Sequence, residues 1–185
     1  VHALYQNALY SSLKPTRRAS ISKAVAESLL GFHRDKVAPI ATRLALLFEA
    51  ARDFAPAAEY CVMAAKNSMQ IAAFKESLSL ARRGVELLKA LPESDERAQK
   101  EMTLQHMIGA SVVAVKSGAA PEILPAFLRA RELAEQLGDH RMRFKIEYSL
   151  VWTYFSRGDV NKALAQSDIA VQLSDELQDS MFMIQ

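Results

Sequence analysis

The stretch that decides the fold is "FKIEYSLVWTYFSRGDVNKALAQSDIAVQLSDEL", residues 144–177. Its apolar side chains recur at three and four on both sides of "SRGDVN", so it reads as two helices, 140–157 and 160–178, joined by a tight turn. Leu150, Val151 and Tyr154 stand at the packing positions of the first helix, Gly158 in the turn, and Ala163 and Ala170 at small positions of the second. Alanine and glycine let antiparallel helices approach closely, while larger residues fill the gap to a neighbouring unit.

The same geometry extends toward the N-terminus. "GASVVAVKSGAAPEILPAFLRARELAEQLGD" sets Gly118, Ile123, Phe127 and Ala130 at the turn and second-helix positions, and Ala130 precedes Ala170 by 40 residues. "AAEYCVMAAKNSMQIAAFKESLSLARRGVELL" does likewise with Ala65, Ser68, Ser77, Ala81 and Gly84, and Gly84 precedes Ala130 by 46. Six glycines, six prolines and no β-branched alternation make the whole chain read as helix. Breaks at "LKPT", "LGFHRDKVAP", "ARDFAP", "LPESDE", "KSGAAPE", "QLGDHR" and "SRGDVN" divide it into about nine helices, near 2–13, 15–32, 37–52, 55–70, 73–91, 94–117, 121–138, 140–157 and 160–178. Three consecutive helix pairs favour a solenoid over a four-helix bundle.

Composition narrows the function. Half of the 185 residues are hydrophobic, enough for a real core. No apolar run reaches the roughly 18 residues of a membrane span, and no leader pattern is present, which predicts a cytoplasmic location without membrane contact. One cysteine and four scattered histidines exclude an internal disulfide and a metal cage. The net charge of +2 does not call for nucleic acid, although residues 1–50 carry a balance of +4 and residues 151–185 a balance of −3.

Residues 144–177 resemble a tetratricopeptide repeat, a helix-turn-helix unit of 34 residues. Leu150, Val151, Tyr154, Gly158, Ala163 and Ala170 fit its pattern; Ser167 stands where the family prefers a large aromatic, and Glu147 where it prefers tryptophan. The opening "HALYQNALYSSLKPTRRASISKAVAESL" resembles the last helices of the winged-helix element that precedes such arrays in bacterial STAND-class signalling ATPases. The helical stretch after it is similar to that of members fused to class III nucleotide cyclases or transcriptional regulators. The resemblance implies an all-α, right-handed superhelix. It divides the chain into winged-helix-like helices at 1–35, a connecting helix at 36–57 and repeats at 58–91, 104–137 and 144–177, with the start of another unit at 180–185. It further implies a piece of a larger switch protein, cut at both ends. The expected role is to bind a protein, peptide or neighbouring domain without a cofactor and without catalysis of its own. A self-association scaffold, as a homodimer, and a small-molecule sensor stay open as alternatives.

The family's groove positions, carried onto this sequence, are Lys145, Tyr148, Trp152 and Phe155 in the best unit. In the earlier units they are Gln105, Ile108, Val112 and Lys116, then Glu59, Val62, Lys66 and Met69. A cation and three aromatics on one helix face suit a peptide or sugar platform, and equally an interface with a next helix pair. Other candidates read as structure. "RRAS", Arg17 to Ser20, matches a basophilic kinase site and reads as a solvated basic helix start. Cys61 lies on an apolar stripe, as a small hydrophobe. His2, His33, His106 and His140 read as surface or helix-end residues, and Glu132, Glu135, Asp175 and Glu176 as solvated carboxylates. No GxxxxGK[ST] stretch is present to cradle nucleotide phosphates.

Overall fold

The computed structural model describes residues 13–34 and 36–182, with side chains as far as Leu177. Among the described residues there are eight α-helices and no strand: α1 (Pro15–His33), α2 (Ala41–Ala50), α3 (Phe54–Gln70), α4 (Phe74–Leu88), α5 (Asp95–Val115), α6 (Ile123–Leu137), α7 (His140–Ser156) and α8 (Val160–Phe182). The helix expected at 2–13 and the unit expected to start at 180–185 lie outside what is described in full. The helix expected at 37–52 is instead a 3₁₀ turn (Ala38–Ile40) followed by α2, with Pro39 at the start of the turn. The range 36–57 therefore holds that turn, α2 and the first residues of α3.

Helix starts follow local chemistry. Pro15 opens α1, where its missing N–H is not needed. Ser94 caps α5 by accepting from the Arg97 N–H, with Asp95 and Glu96 in the first turn against the positive helix end. Asp139 caps α7 by accepting from the Met142 N–H.

Four helix ends share one geometry. At Arg52, Ala72, Gly138 and Gly158 the backbone is left-handed, with φ of 59°, 58°, 65° and 77°. Each of these residues donates its N–H to the carbonyl three back, and the following residue donates to the carbonyl five back, as in Asp53 to Phe48 and Asp159 to Tyr154. The turns after α2 and α3 recur 86 residues later as the turns after α6 and α7, so α3–α4 and α7–α8 correspond position by position.

Helices pack in chain order. Each lies against the next, and α3 also touches α5. The core is accordingly a continuous strip of small and medium side chains, among them Ala57, Cys61, Ala65, Ala81, Leu104, Phe127, Ala130, Ile146 and Leu150. Close approach is strictest between α5 and α6, where a Cβ on Gly109 would lie 2.5 Å from the Phe127 ring. Polar ties join neighbouring elements at the surface: Lys23 of α1 to Asp53 ahead of α3 at 2.8 Å, Arg83 of α4 to Glu49 of α2, and Arg129 of α6 to Glu101 of α5 at 2.8 Å. No helix among the described residues is long and apolar enough to cross a membrane.

Candidate binding cleft on the seventh helix

Burial of one stripe of α7 fixes its rotation. Ile146, Leu150 and Thr153 are buried, and Thr153 donates its hydroxyl to the Ser149 carbonyl at 2.8 Å. Three-and-four spacing then turns Lys145, Tyr148, Trp152 and Phe155 outward. Tyr148 and Trp152 are each 55% exposed.

Tyr148 and Trp152 wall a cleft of about 260 Å³. Ala110 and Val113 of α5 form the opposite wall, and Phe127 of α6 the floor. Ser149, Thr153 and Ser156 also line it, with the Ser149 and Thr153 hydroxyls donated to carbonyls of α7 itself. Gly118, in the loop after α5, abuts the end of α7 so closely that a Cβ would sit 2.6 Å from Ser156 Oγ. Trp152 also meets Phe155 edge to face at 6.1 Å, and the two border a second apolar concavity of about 320 Å³ with Val160, Ala163 and Leu164.

The expected groove is thus gathered in part. Tyr148 and Trp152 come together with α5 and α6, Phe155 faces the second concavity, and Lys145 lines neither. Gln105, Lys116 and Lys66 do not line the cleft. Lys116, at the end of α5, pairs with Glu122. Ile108 and Val112 are core residues, not groove residues, because α5 is packed between α4 and α6. Glu59 and Lys66 are exposed on α3, whereas Val62 and Met69 are half-buried against the core.

His106 corrects the reading of the histidines. His33 ends α1 and His140 begins α7, but His106 lies mid-α5, tilted against the Phe127 ring at 5.7 Å. Burial holds its imidazole below the ordinary range, and Lys145 adds to that. It is therefore neutral at pH 7. His2 lies outside the described residues.

Glu147 is the polar group that spacing did not disclose. It is fully buried on α7; Gln166 of α8 donates its amide to Oε2, and Arg143 Nε stands 3.7 Å from Oε1. Arg143 also reaches Glu135 of α6 at 3.3 Å. Burial raises the Glu147 carboxyl above its usual range, Arg131 and Arg143 pull it down, and Glu135 pushes it up. The cluster ties α6, α7 and α8 together. Cys61 occupies the corresponding place in α3, fully buried, with its thiol pushed up to about 11 chiefly by burial. It is a protonated packing group at neutral pH.

Glu132, Glu135, Asp175 and Glu176 are exposed, as are Arg17 and Ser20 in α1. Among the described residues no three His, Cys, Asp or Glu side chains are grouped to hold a metal ion. The cleft presents aromatic walls over the buried Phe127 ring. Compared with known proteins, the chain matches no protein-family model, and no curated protein matches it.

Proposed function

We propose that the chain is a tetratricopeptide-like solenoid that binds a peptide segment of a partner protein in the Tyr148–Trp152 cleft. The observation that carries this reading is the cleft itself, two half-exposed aromatics over a buried Phe127. The serial packing of α1 to α8 and the recurrent turns support a repeat array, since each unit stacks only on its neighbours. Covering the exposed halves of Tyr148 and Trp152 removes on the order of 100 Å² each from water, about 2–3 kcal/mol per ring before ordering costs. In a larger cytoplasmic bacterial regulator of the STAND class, occupancy of this cleft would act on a nucleotide switch. It does so only if the bound peptide prefers one state of that switch.

Trp152 is the sole tryptophan, so intrinsic fluorescence reads the cleft directly. Titration with a library of short peptides bearing one large apolar residue should give a saturable blue shift for a subset. Tyr148→Ala should then weaken those peptides tenfold or more with the helical circular dichroism unchanged. Peptides whose affinity ignores Tyr148→Ala would remove the cleft as the binding site.

A further inference from the structure

Among the described residues, α2 to α7 each pack against the helix before and the helix after, and α1 packs against α2. On that side α1 buries Ser22 and Ala26 and sets Leu29 and Leu30 against the core. A second apolar stripe runs beside the buried one. Ile21, Val25 and Phe32 are 38%, 36% and 84% exposed, and with Ala24, Ser28 and Leu29 they line a shallow concavity of about 480 Å³. Spacing of three and four keeps these six residues on one side of the helix. Lys23 turns away from the stripe, toward Asp53.

The chain supplies a matching segment directly ahead of α1. Residues 1–12, "VHALYQNALYSS", lie outside the described residues, and their sequence carries the pattern. Val1, Leu4, Tyr5 and Ala8 fall at three-and-four spacing, and no Lys, Arg, Asp or Glu occurs before Lys14. Pro15 begins α1, so Leu13 and Lys14 make the connection, and a link this short sets consecutive helices antiparallel. The lengths also agree. Twelve helical residues span about 18 Å, and Pro15 to Ser28 spans about 20 Å. Laid back along α1, the segment brings Ala8 beside Ile21 and Leu4 beside Val25. Phe32, about 26 Å from Pro15 along the axis, lies beyond its reach.

From this match we propose that residues 1–12 form a helix that folds back on α1 and covers the Ile21–Val25 part of its apolar stripe. A two-residue tether holds the segment at a millimolar effective concentration, which favours it over a second copy of the chain at ordinary protein concentrations. The serial packing then continues through one more helix, and α1 is flanked on both sides. The contact is separate from the Tyr148 cleft, so either can fail alone.

Thiol labelling of the full chain carrying Val25→Cys or Phe32→Cys tests the proposal, since Cys61 is buried and its own labelling reports unfolding. Val25→Cys should react at least tenfold more slowly than in the same chain bearing Leu4→Asp and Ala8→Asp, whereas Phe32→Cys should react equally fast in both. Circular dichroism and the protection of Cys61 check that the aspartate-bearing chain keeps its fold. A second measurement does not depend on that chain: Leu4→Cys should cross-link to Val25→Cys on mild oxidation and not to Phe32→Cys. Equal labelling of Val25→Cys in the two chains overturns the proposal, as does a cross-link from Leu4→Cys to Phe32→Cys in preference to Val25→Cys. Protection of Val25→Cys that grows with protein concentration also overturns it, in favour of a second copy.

Discussion

Gly109→Ala tests the closest contact in the fold. Two terms oppose each other. In a helix interior, alanine is favoured over glycine by about 1 kcal/mol, so an unobstructed site would gain stability. At Gly109, however, the new methyl would lie 2.5 Å from Phe127 Cε1 and 2.7 Å from Cδ1 and Cζ. Phe127 is 1% exposed and has His106 tilted against it, so the ring has little room to move aside. Overpacking of this kind costs about 1–3 kcal/mol. With the contact at the severe end, the net loss should be about 1–2 kcal/mol, or roughly 3–6 °C in melting temperature for a chain of this size. Gly31→Ala is the matched control: it is also helical, on α1, and a Cβ there meets nothing within 4 Å. It should gain about 0.5–1 kcal/mol. Urea unfolding followed by circular dichroism and by Trp152 emission measures both. Phe127→Leu in the Gly109→Ala background should restore part of the loss, giving a coupling of 1 kcal/mol or more. Because Phe127 floors the cleft, Trp152 emission should also shift in the folded Gly109→Ala protein. If Gly109→Ala stabilises as much as Gly31→Ala does, or if the double variant is simply additive, α5 and α6 do not approach as described.

Two further perturbations probe the turns and the buried carboxylate. Ala72 holds φ of 58° at a turn where the corresponding residue is Gly158, so Ala72→Gly should gain, and Gly158→Ala lose, about 1 kcal/mol; thermal melts of the two variants should move in opposite directions. Glu147 faces Arg143 on its own helix, Arg131 and Glu135 on α6, and Gln166 on α8, and burial raises its carboxyl above the usual 4.5. The folded chain then binds that proton at higher pH than the unfolded chain. The ionised form subtracts stability at neutral pH, and the deficit eases as the pH falls through the folded value toward 4.5. Glu147→Gln should flatten this dependence in urea midpoints between about pH 7 and 5; parallel curves for the two proteins would show that Glu147 does not titrate as described.

The helices themselves were legible because their boundaries carry local chemistry. Pro15, Ser94, Gly138 with Asp139, and Gly158 with Asp159 each mark a start or stop through a missing donor, a cap or a left-handed backbone. The 3₁₀ turn at Ala38–Ile40 was not, since a proline near a helix start fits either geometry. Tyr148 and Trp152 were reached through the groove positions of the family that the sequence resembles, and they face outward because Ile146, Leu150 and Thr153 are buried on the other side of α7. Ala110, Val113 and Phe127 could not be reached by spacing: from Met107 to Val115 α5 is apolar on nearly every side, so spacing does not say which side faces α7. Ile108 and Val112 were placed in the groove by carrying the same family positions onto α5, which is packed between α4 and α6. Glu147 was hidden differently, since the partner that makes its burial tolerable, Gln166, lies on another helix.

The two corresponding pairs also differ in how their interiors are held. Cys61 in α3 is enclosed by apolar packing, with Gly84 and Leu104 beside it. Glu147 in α7 is enclosed by an amide and an arginine, with one oxygen lacking a hydrogen bond. A buried charge whose partners only partly satisfy it contributes less than apolar packing of the same volume. The α7–α8 pair is therefore the less tightly held of the two, and α7 carries the Tyr148–Trp152 cleft. In a serially packed array, stability is a sum over units and their interfaces, and a ligand stabilises most visibly the unit with least of its own. The pair that carries the cleft is thus also the pair whose order gains most from being bound.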